Sequence, residues 1–505
     1  MLVADRWAAR PLYFATGHGR MAFASEIRAL LAWPDVPATP NLGALDVLQA
    51  TKYLPTGEGL LAEVRPVVPG GWACLRADGW EAGTYAPVRL EVDPDRAEEA
   101  CADELRDVML AAARRLVVTH GTVGIALSAG LDSTLTLGAV RAVAPHVPIH
   151  TFTASFHADD PDLALAAEAA RHFGAIHHQI VIPPEDLPRL LPETVWAMED
   201  PICREEMVLY FVLVREAARH APNLLYGQMS DVLFGGMPRH LVVKAAAEFP
   251  WLRRPLADFY DYTQTGRRPS SWLGRLLVRM YYRGRATPPA RVLDAPRDGG
   301  ASKGLVLAPD QPLNALLLDS SRTPTETAAM ERLHAMVGTT YGSIFHDREV
   351  VASAFRIPDR LKIRGGVRKY ILRRAAVGIL PDHLAARPKG LVRIVRDQAR
   401  LAVIDRMAEE LLAPEAVRAR DWFDPDDIAR LRRRTAHGSY ADDQFYHLWT
   451  LLLTEIWART FIDGRGAGPI RLDNGPPRPS ATVPIEHAGV RPGSRSAEGA
   501  RGRAA

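Results

Sequence analysis

The 505 residues carry 62 Lys and Arg against 59 Asp and Glu, a net charge of +3, and are 47% hydrophobic and 24% charged. That length allows two to four domains of roughly 100–200 residues, which excludes a single small binding module, and the balance excludes a disordered, collagen-like or coiled-coil chain. So small a net charge gives no support to a chain-wide surface for nucleic acid or anionic membrane.

Residues 1–92 read as an α+β piece, with short strands at 2–6, 11–16, 21–25 and 70–76 and helical periodicity at 25–33 and 42–49. A linker at 88–96 precedes a strong amphipathic helix, so a second domain is expected to begin near residue 97. That domain alternates strands (122–128, 149–156, 177–182, 224–227) with helices (131–144, 161–174, and further helices within 183–220). Apolar strands separated by helices of this length predict right-handed βαβ units and a parallel sheet covered on both faces, an α/β class. Residues 250–328, rich in Pro, Arg and Gly, read as an insertion or lid. Residues 328–465 read as largely helical, and 466–505 as a disordered tail.

Cys74, Cys101 and Cys203 lie far apart with no Cys-x-x-Cys spacing. They predict neither a disulfide framework nor a zinc cluster and suit a reducing compartment. The amino terminus lacks a basic segment followed by an apolar one, and no apolar run reaches the ~18 residues of a membrane span, so a cytoplasmic chain is expected. Only six residues are lysine, at 52, 244, 303, 362, 369 and 389.

The loop Leu127-Ser128-Ala129-Gly130-Leu131-Asp132-Ser133-Thr134 falls where a buried strand turns into a helix, at the carboxyl edge of the expected sheet, where open parallel sheets bind ligands. Glycine admits a phosphate close to the backbone, the helix dipole favours an anion, and Ser128, Ser133 and Thr134 offer hydroxyls. Asp132 would repel phosphate unless a divalent cation lay between them, so Mg²⁺ is implied. The same residues also suit an ordinary strand–helix turn with Ser and Asp as caps.

The loop resembles the SGGxDS pyrophosphate loop of the N-type ATP pyrophosphatases, with Ala129 in place of the first glycine. A second segment, Leu225-Tyr226-Gly227-Gln228-Met229-Ser230-Asp231-Val232-Leu233-Phe234-Gly235-Gly236, resembles LSGEGSDELFGGY of asparagine synthetase B and its relatives. The stretch from Asp347 to Pro358, Arg368-Lys369-Tyr370-Ile371-Leu372-Arg373, Leu380-Pro381 and Arg387-Pro388-Lys389-Gly390 is similar to a third series of that family. The resemblance implies an N-type ATP pyrophosphatase fold, ATP held by Leu127, Ser128, Gly130, Asp132, Ser133 and Gly227, and Mg²⁺ between Asp132 and Asp231. It also implies Lys389, Lys369 and Gln228 as the groups facing the reaction. A mobile ammonium supplies stabilisation where charge develops on pyrophosphate or an oxyanion.

Asp5-Arg6, Arg10-Pro11-Leu12-Tyr13 and Phe23-Ala24-Ser25-Glu26-Ile27-Arg28-Ala29-Leu30 resemble the second half of the family's class II glutamine amidotransferase domain. The half that would carry the amino-terminal Cys nucleophile is not seen, so a truncated lobe without glutaminase activity is expected.

The resemblance implies adenylation of a carboxylate, with release of pyrophosphate, and then displacement of AMP by an amine. Gln228 stands where asparagine synthetases carry Glu, Val232 replaces another Glu, and residues 340–347 lack the family's Glu and Arg. These departures favour the β-lactam synthetase and lasso-peptide cyclase branch, acting on a small-molecule or peptide carboxylate, with room for a partner protein and no nucleic acid or membrane. Tyr341, His346 and Glu199 are candidates for an acceptor-side base, or else packing and surface residues. The competing readings are an asparagine synthase whose start lies upstream, sulfur transfer to tRNA, and a degenerate scaffold.

Overall fold

The computed structural model describes residues 1–6, 10–17, 19–51, 54, 57–85, 90–117, 121–201, 203–265, 269–281, 311–321, 325–387, 398–435, 442–472 and 482–485. The first lobe contains two three-stranded antiparallel sheets. One orders β1 (Leu2–Val3), β5 (Gly71–Arg76) and β6 (Gly79–Thr84); the other orders β3 (Arg20–Ala24), β2 (Tyr13–Gly17) and β4 (Val64–Pro66). Helices Ile27–Leu31 and Leu42–Thr51 fill the positions that periodicity assigns.

Helix Glu98–Val117 opens the second domain. It buries Cys101, Leu105, Met109, Ala112 and Ala113, a stripe at helical spacing, with Glu98 and Glu99 in its first turn and Arg114 and Arg115 in its last, as the helix dipole favours. A six-stranded sheet follows, in the order β11 (Thr340–Ser343), β10 (Asn223–Tyr226), β7 (Val123–Ala126), β8 (Ile149–Ser155), β9 (Ile176–Val181) and β14 (Thr482–Ile485). The first five are mutually parallel, and β14 runs antiparallel on β9. Every residue of β7 and β10 is buried, which explains why both read as unbroken apolar runs. A short hairpin, β12 (Ile363–Arg364) and β13 (Val367–Arg368), lies between helices downstream.

Three expectations need correction. The segment 250–328, read as an insertion or lid for want of sustained periodicity, does contain regular structure. It contains helices Arg253–Thr265, Trp272–Tyr281 and Pro312–Ser321, the last burying Leu313 and Leu317, while 282–310 lies outside the described residues. Its periodicity is masked by Pro and Arg, and tertiary burial supplies the order that composition does not. The largely helical stretch also hides β11, four residues made a strand by pairing with β10. The last segment is not wholly disordered. Trp196 Nε1 donates to Gly466 O at 2.9 Å, and residues 482–485 form β14.

The lobe and the second domain share one apolar core, in which Leu45, Leu48 and Val36 belong with Trp457 and Phe461. Within that contact Gln49 Nε2 donates to Thr454 Oγ1 at 2.9 Å. Among the described residues, no helix is long and apolar enough to cross a membrane.

Candidate active site

The chain lays β8 and β9 to one side of β7 and then returns to the other side with β10. The crevice beyond the carboxyl ends of β7 and β10 is therefore the sheet's switch point, and two loops line it.

The loop after β7 is tied to its neighbour strand: Leu127 N–H donates to Phe152 O at 2.8 Å, and Leu127 O accepts from Thr153 Oγ1 at 2.6 Å. Ser133 Oγ accepts from Ser128 N at 3.0 Å and donates to Ser128 O at 3.1 Å, while Ser128 Oγ accepts from Gly130 N at 3.2 Å. Thr134 Oγ1 donates to Gly130 O at 2.8 Å. The hydroxyls thus close the loop on itself, and the group it presents outward is backbone. Gly130 precedes helix Leu131–Val143, and among the described residues no side chain caps that end. Its first-turn N–H groups and the positive end of its dipole suit an anion.

Gly227 brings the second loop against the first. A Cβ at 227 would lie 2.7 Å from both Ser133 N and Asp132 Cβ, so the approach requires glycine. Past Met229, held at φ 78°, the short helix Ser230–Phe234 presents Asp231. Lys369, only 5% exposed, completes the cluster from the end of β13. Its Nζ lies 2.5 Å from Asp132 Oδ2 and 2.6 Å from Asp231 Oδ1 and donates to Ser230 Oγ at 2.9 Å. Gly236 packs so tightly on Asp231 and Lys369 that a Cβ there would overlap both.

Asp132 Oδ1 is buried and accepts no hydrogen bond among the described residues, and the Asp231 carboxylate faces the same ammonium. Two converging carboxylates with an acceptor atom left open form a donor set that suits a hard divalent cation, so these residues fit Mg²⁺.

The other wall is a half-buried polar cluster around the ends of β10 and β11. Tyr341 OH donates to Gln228 Oε1 at 2.8 Å and lies 3.1 Å from His346 Nδ1; Gln228 Nε2 donates to Glu326 Oε1 at 2.9 Å; Ser343 Oγ donates to Gln228 O at 3.0 Å. Burial lowers the His346 ring to about 4 and lifts the Tyr341 phenol well above its usual value, so both are neutral near pH 7. Arg204 pairs with Glu326 at 2.8 Å.

The structure thus brings Leu127, Ser128, Gly130, Asp132, Ser133, Gly227, Gln228, Asp231 and Lys369 to one crevice. Lys389 lies outside the described residues. Glu199 is elsewhere: it accepts the N–H groups of Ile27 at 2.6 Å and Arg28 at 3.0 Å, joining the lobe to the second domain and not serving the acceptor wall. Sequence reasoning placed Ser230 and Gly236 in the second segment without a role among the site residues, and missed Glu326. It also missed Lys362, fully buried, whose Nζ donates to Leu233 O at 2.8 Å behind Asp231. Scarcity of lysine was the one signal that could have marked it.

A family model described as asparagine synthase matches residues 104–459, and one described as a glutamine amidotransferase domain matches residues 1–86. The chain belongs to the asparagine synthase family. It is an ATP-dependent carbon–nitrogen ligase, with a glutamine amidotransferase-like lobe ahead of an N-type ATP pyrophosphatase domain. A Mycobacterium tuberculosis protein provisionally described as a glutamine-hydrolysing asparagine synthetase is 28% identical over 500 residues, covering 91% of this chain and 74% of the relative. The glutamine-hydrolysing asparagine synthetase 1 of Bacillus subtilis is 26% identical over 498 residues, covering 91% and 75%. The human glutamine-hydrolysing asparagine synthetase is 26% identical over 206 residues, covering 39% and 35%. The asparagine synthase match contains both loops, Lys369 and the five parallel strands; the amidotransferase match contains all six lobe strands.

Proposed function

We propose that this ligase joins a specialised carboxylate, from a small molecule or a peptide, to an amine through an acyl-adenylate. The substrate carboxylate attacks the α-phosphorus of ATP, the bond to the β-phosphate breaks and pyrophosphate leaves. The amine then attacks the acyl carbon and AMP leaves. The observation that carries the first step is the ammonium of Lys369 set between Asp132 and Asp231 at an uncapped helix end.

In this reading the first-turn N–H groups of helix Leu131–Val143 bind phosphate, Gly227 keeps the two loops in contact, and Lys369 stabilises charge on the departing pyrophosphate. Asp132 and Asp231 hold Mg²⁺, which when bound screens the phosphate charge. Lys389 is assigned to the same task as a second cation.

The acceptor wall supports a substrate other than aspartate. Gln228 stands where asparagine synthetases carry Glu, and both ends of its amide are engaged, by Tyr341 and Glu326. A neutral group tied into this network gives the pocket a different charge and leaves no obvious place for the family's carboxylate at that position. A peptide substrate would leave room for a partner protein made alongside it, in the cytoplasm.

The test is ATP consumption with AMP detection across a panel of carboxylates, with Asp132→Asn as control. AMP and pyrophosphate with carboxylates other than aspartate are expected, together with loss of activity in the variant. ADP as product, or full activity of Asp132→Asn, overturns the mechanism. Activation of aspartate alone returns the asparagine synthase reading.

A further inference from the structure

At the far end of the sheet three imidazoles converge. His150 is the second residue of β8 and His178 the third of β9, and the register, with His150 opposite Ile176 and His178 opposite Phe152, sets them on one face. His220 follows helix Glu206–Ala217, just ahead of β10. One nitrogen from each ring falls within 4.8 Å of the others, and His150 Nδ1 lies 3.0 Å from His178 Nε2. Glu216, one turn before His220, places Oε1 3.1 Å from His220 Nε2, and its other oxygen accepts from Arg219 at 2.6 Å.

The geometry points to a transition-metal site formed by His150, His178 and His220, with Glu216 as the carboxylate that orients His220, taking a borderline divalent cation of the Zn²⁺ class. Nitrogens bound at 2.0–2.1 Å to one tetrahedral ion stand about 3.3 Å apart. The His150–His178 pair is already near that spacing. The His220 side chain is 30% exposed and has room to turn and close the set. Imidazole with one carboxylate suits Zn²⁺ or Co²⁺ and does not suit Mg²⁺, which takes oxygen donors.

Adenylation does not account for this cluster. Asp132 and Asp231 follow the carboxyl ends of β7 and β10, whereas His150 sits at the amino end of β8 and His220 just ahead of the amino end of β10, on the order of 20 Å away along a seven-residue strand. A metal here would tie β8, β9 and the connection into β10 together. It would do so where the backbone of β14 docks, Pro484 pairing with His178. The competing occupant is protons alone: the rings of His178 and His220 pack with centroids 4.3 Å apart, and His150 and His178 share one hydrogen bond.

The test strips the full-length protein with chelator and titrates it with Co²⁺ alone. One equivalent is expected to bind, with visible d–d bands, displaced by Zn²⁺ and unmoved by excess Mg²⁺. His220→Ala, at a partly exposed position, is expected to weaken binding at least about tenfold and to abolish the rise in Tm that Zn²⁺ gives the parent. His150→Gln gives a second ligand deletion that leaves His178 in the core. Absence of a saturable band below millimolar Co²⁺, or the same titration in both variants, overturns the proposal. Adenylation with Mg²⁺ and ATP should be unchanged in His220→Ala, so failure of the metal site and failure of the ligase reading are separately visible.

Discussion

Lys369 Nζ lies 2.5 Å from Asp132 Oδ2, so the ammonium from the end of one hairpin closes the phosphate loop of a distant strand. The same group meets Asp231 at 2.6 Å, which makes it the buried centre of a partly buried charged triad. Removing one partner of such a group leaves uncompensated charge. Lys369→Met is therefore expected to lower ATP–pyrophosphate exchange by about 10²–10³. Lys369→Arg should not rescue it, because a planar fork does not fit a slot in which the side chain is 6% exposed. Exchange within threefold of the parent in Lys369→Met would remove Lys369 from the chemistry.

Gly227 tests the contact between the two loops. A methyl group would press on Ser133 N and Asp132 Cβ at 2.7 Å, and the nearest atoms are backbone and a Cβ, which cannot swing away. Gly227→Ala should cost about 1–3 kcal/mol of stability by overpacking and should raise the KM for ATP more than it lowers Tm would suggest, since the displaced loop is the phosphate loop. Thermal melts and ATP titrations on the same preparation check this; an unchanged KM with a lowered Tm would confine Gly227 to packing.

The parallel sheet was legible because strands buried on both faces read as apolar runs, as β7 and the Leu224–Tyr226 part of β10 do, and because helices separate them from β8 and β9, whose His, Thr and Gln interrupt the pattern. β11 was not, because Thr340, Tyr341, Gly342 and Ser343 carry no strand pattern of their own and become a strand by pairing with β10. The phosphate loop was legible because glycine, hydroxyls and an acid after a buried strand carry local chemistry, whereas Asp231 was legible only through the resemblance of the second segment to the family. The partners Ser230, Glu326 and Lys362 were not, since each acts across distances in sequence that only the fold sets. Glu199 shows the converse: a carboxylate beside a helix end looks chemical in sequence, yet its oxygens accept the N–H groups of Ile27 and Arg28.

Lys362 gives a pH dependence. Burial pushes its ammonium from 10.5 down to about 7, against the opposing charge of Asp359. Between those two values the unfolded chain holds a proton that the folded chain has released, so stability rises with pH across the window from about 7 to 10.5 and is least below it. Lys362→Met keeps the apolar stem and removes the titration. The parent should therefore gain Tm relative to Lys362→Met as pH rises from 7 towards 9.5, and parallel Tm curves would show that the buried amine does not titrate there.

Gln228→Glu asks whether restoring the glutamate of asparagine synthetases restores their pocket. Gln228 Nε2 donates to Glu326 Oε1 at 2.9 Å, so the substitution sets carboxylate against carboxylate, with Arg204 already paired to Glu326. Two such groups cannot both ionise cheaply; one is forced to keep a proton and its pKa rises. A raised carboxyl pKa contributes stability at low pH that is lost as pH climbs through it. The variant should therefore match the parent near pH 5 and fall behind it by about 1–3 kcal/mol near pH 8. It should not gain activity on aspartate, because Glu326 and Tyr341 would still shape the wall. Removing the clash with Glu326→Gln in the same chain should recover most of the lost Tm, and failure of that double variant to recover would separate the effect from the Gln228–Glu326 contact.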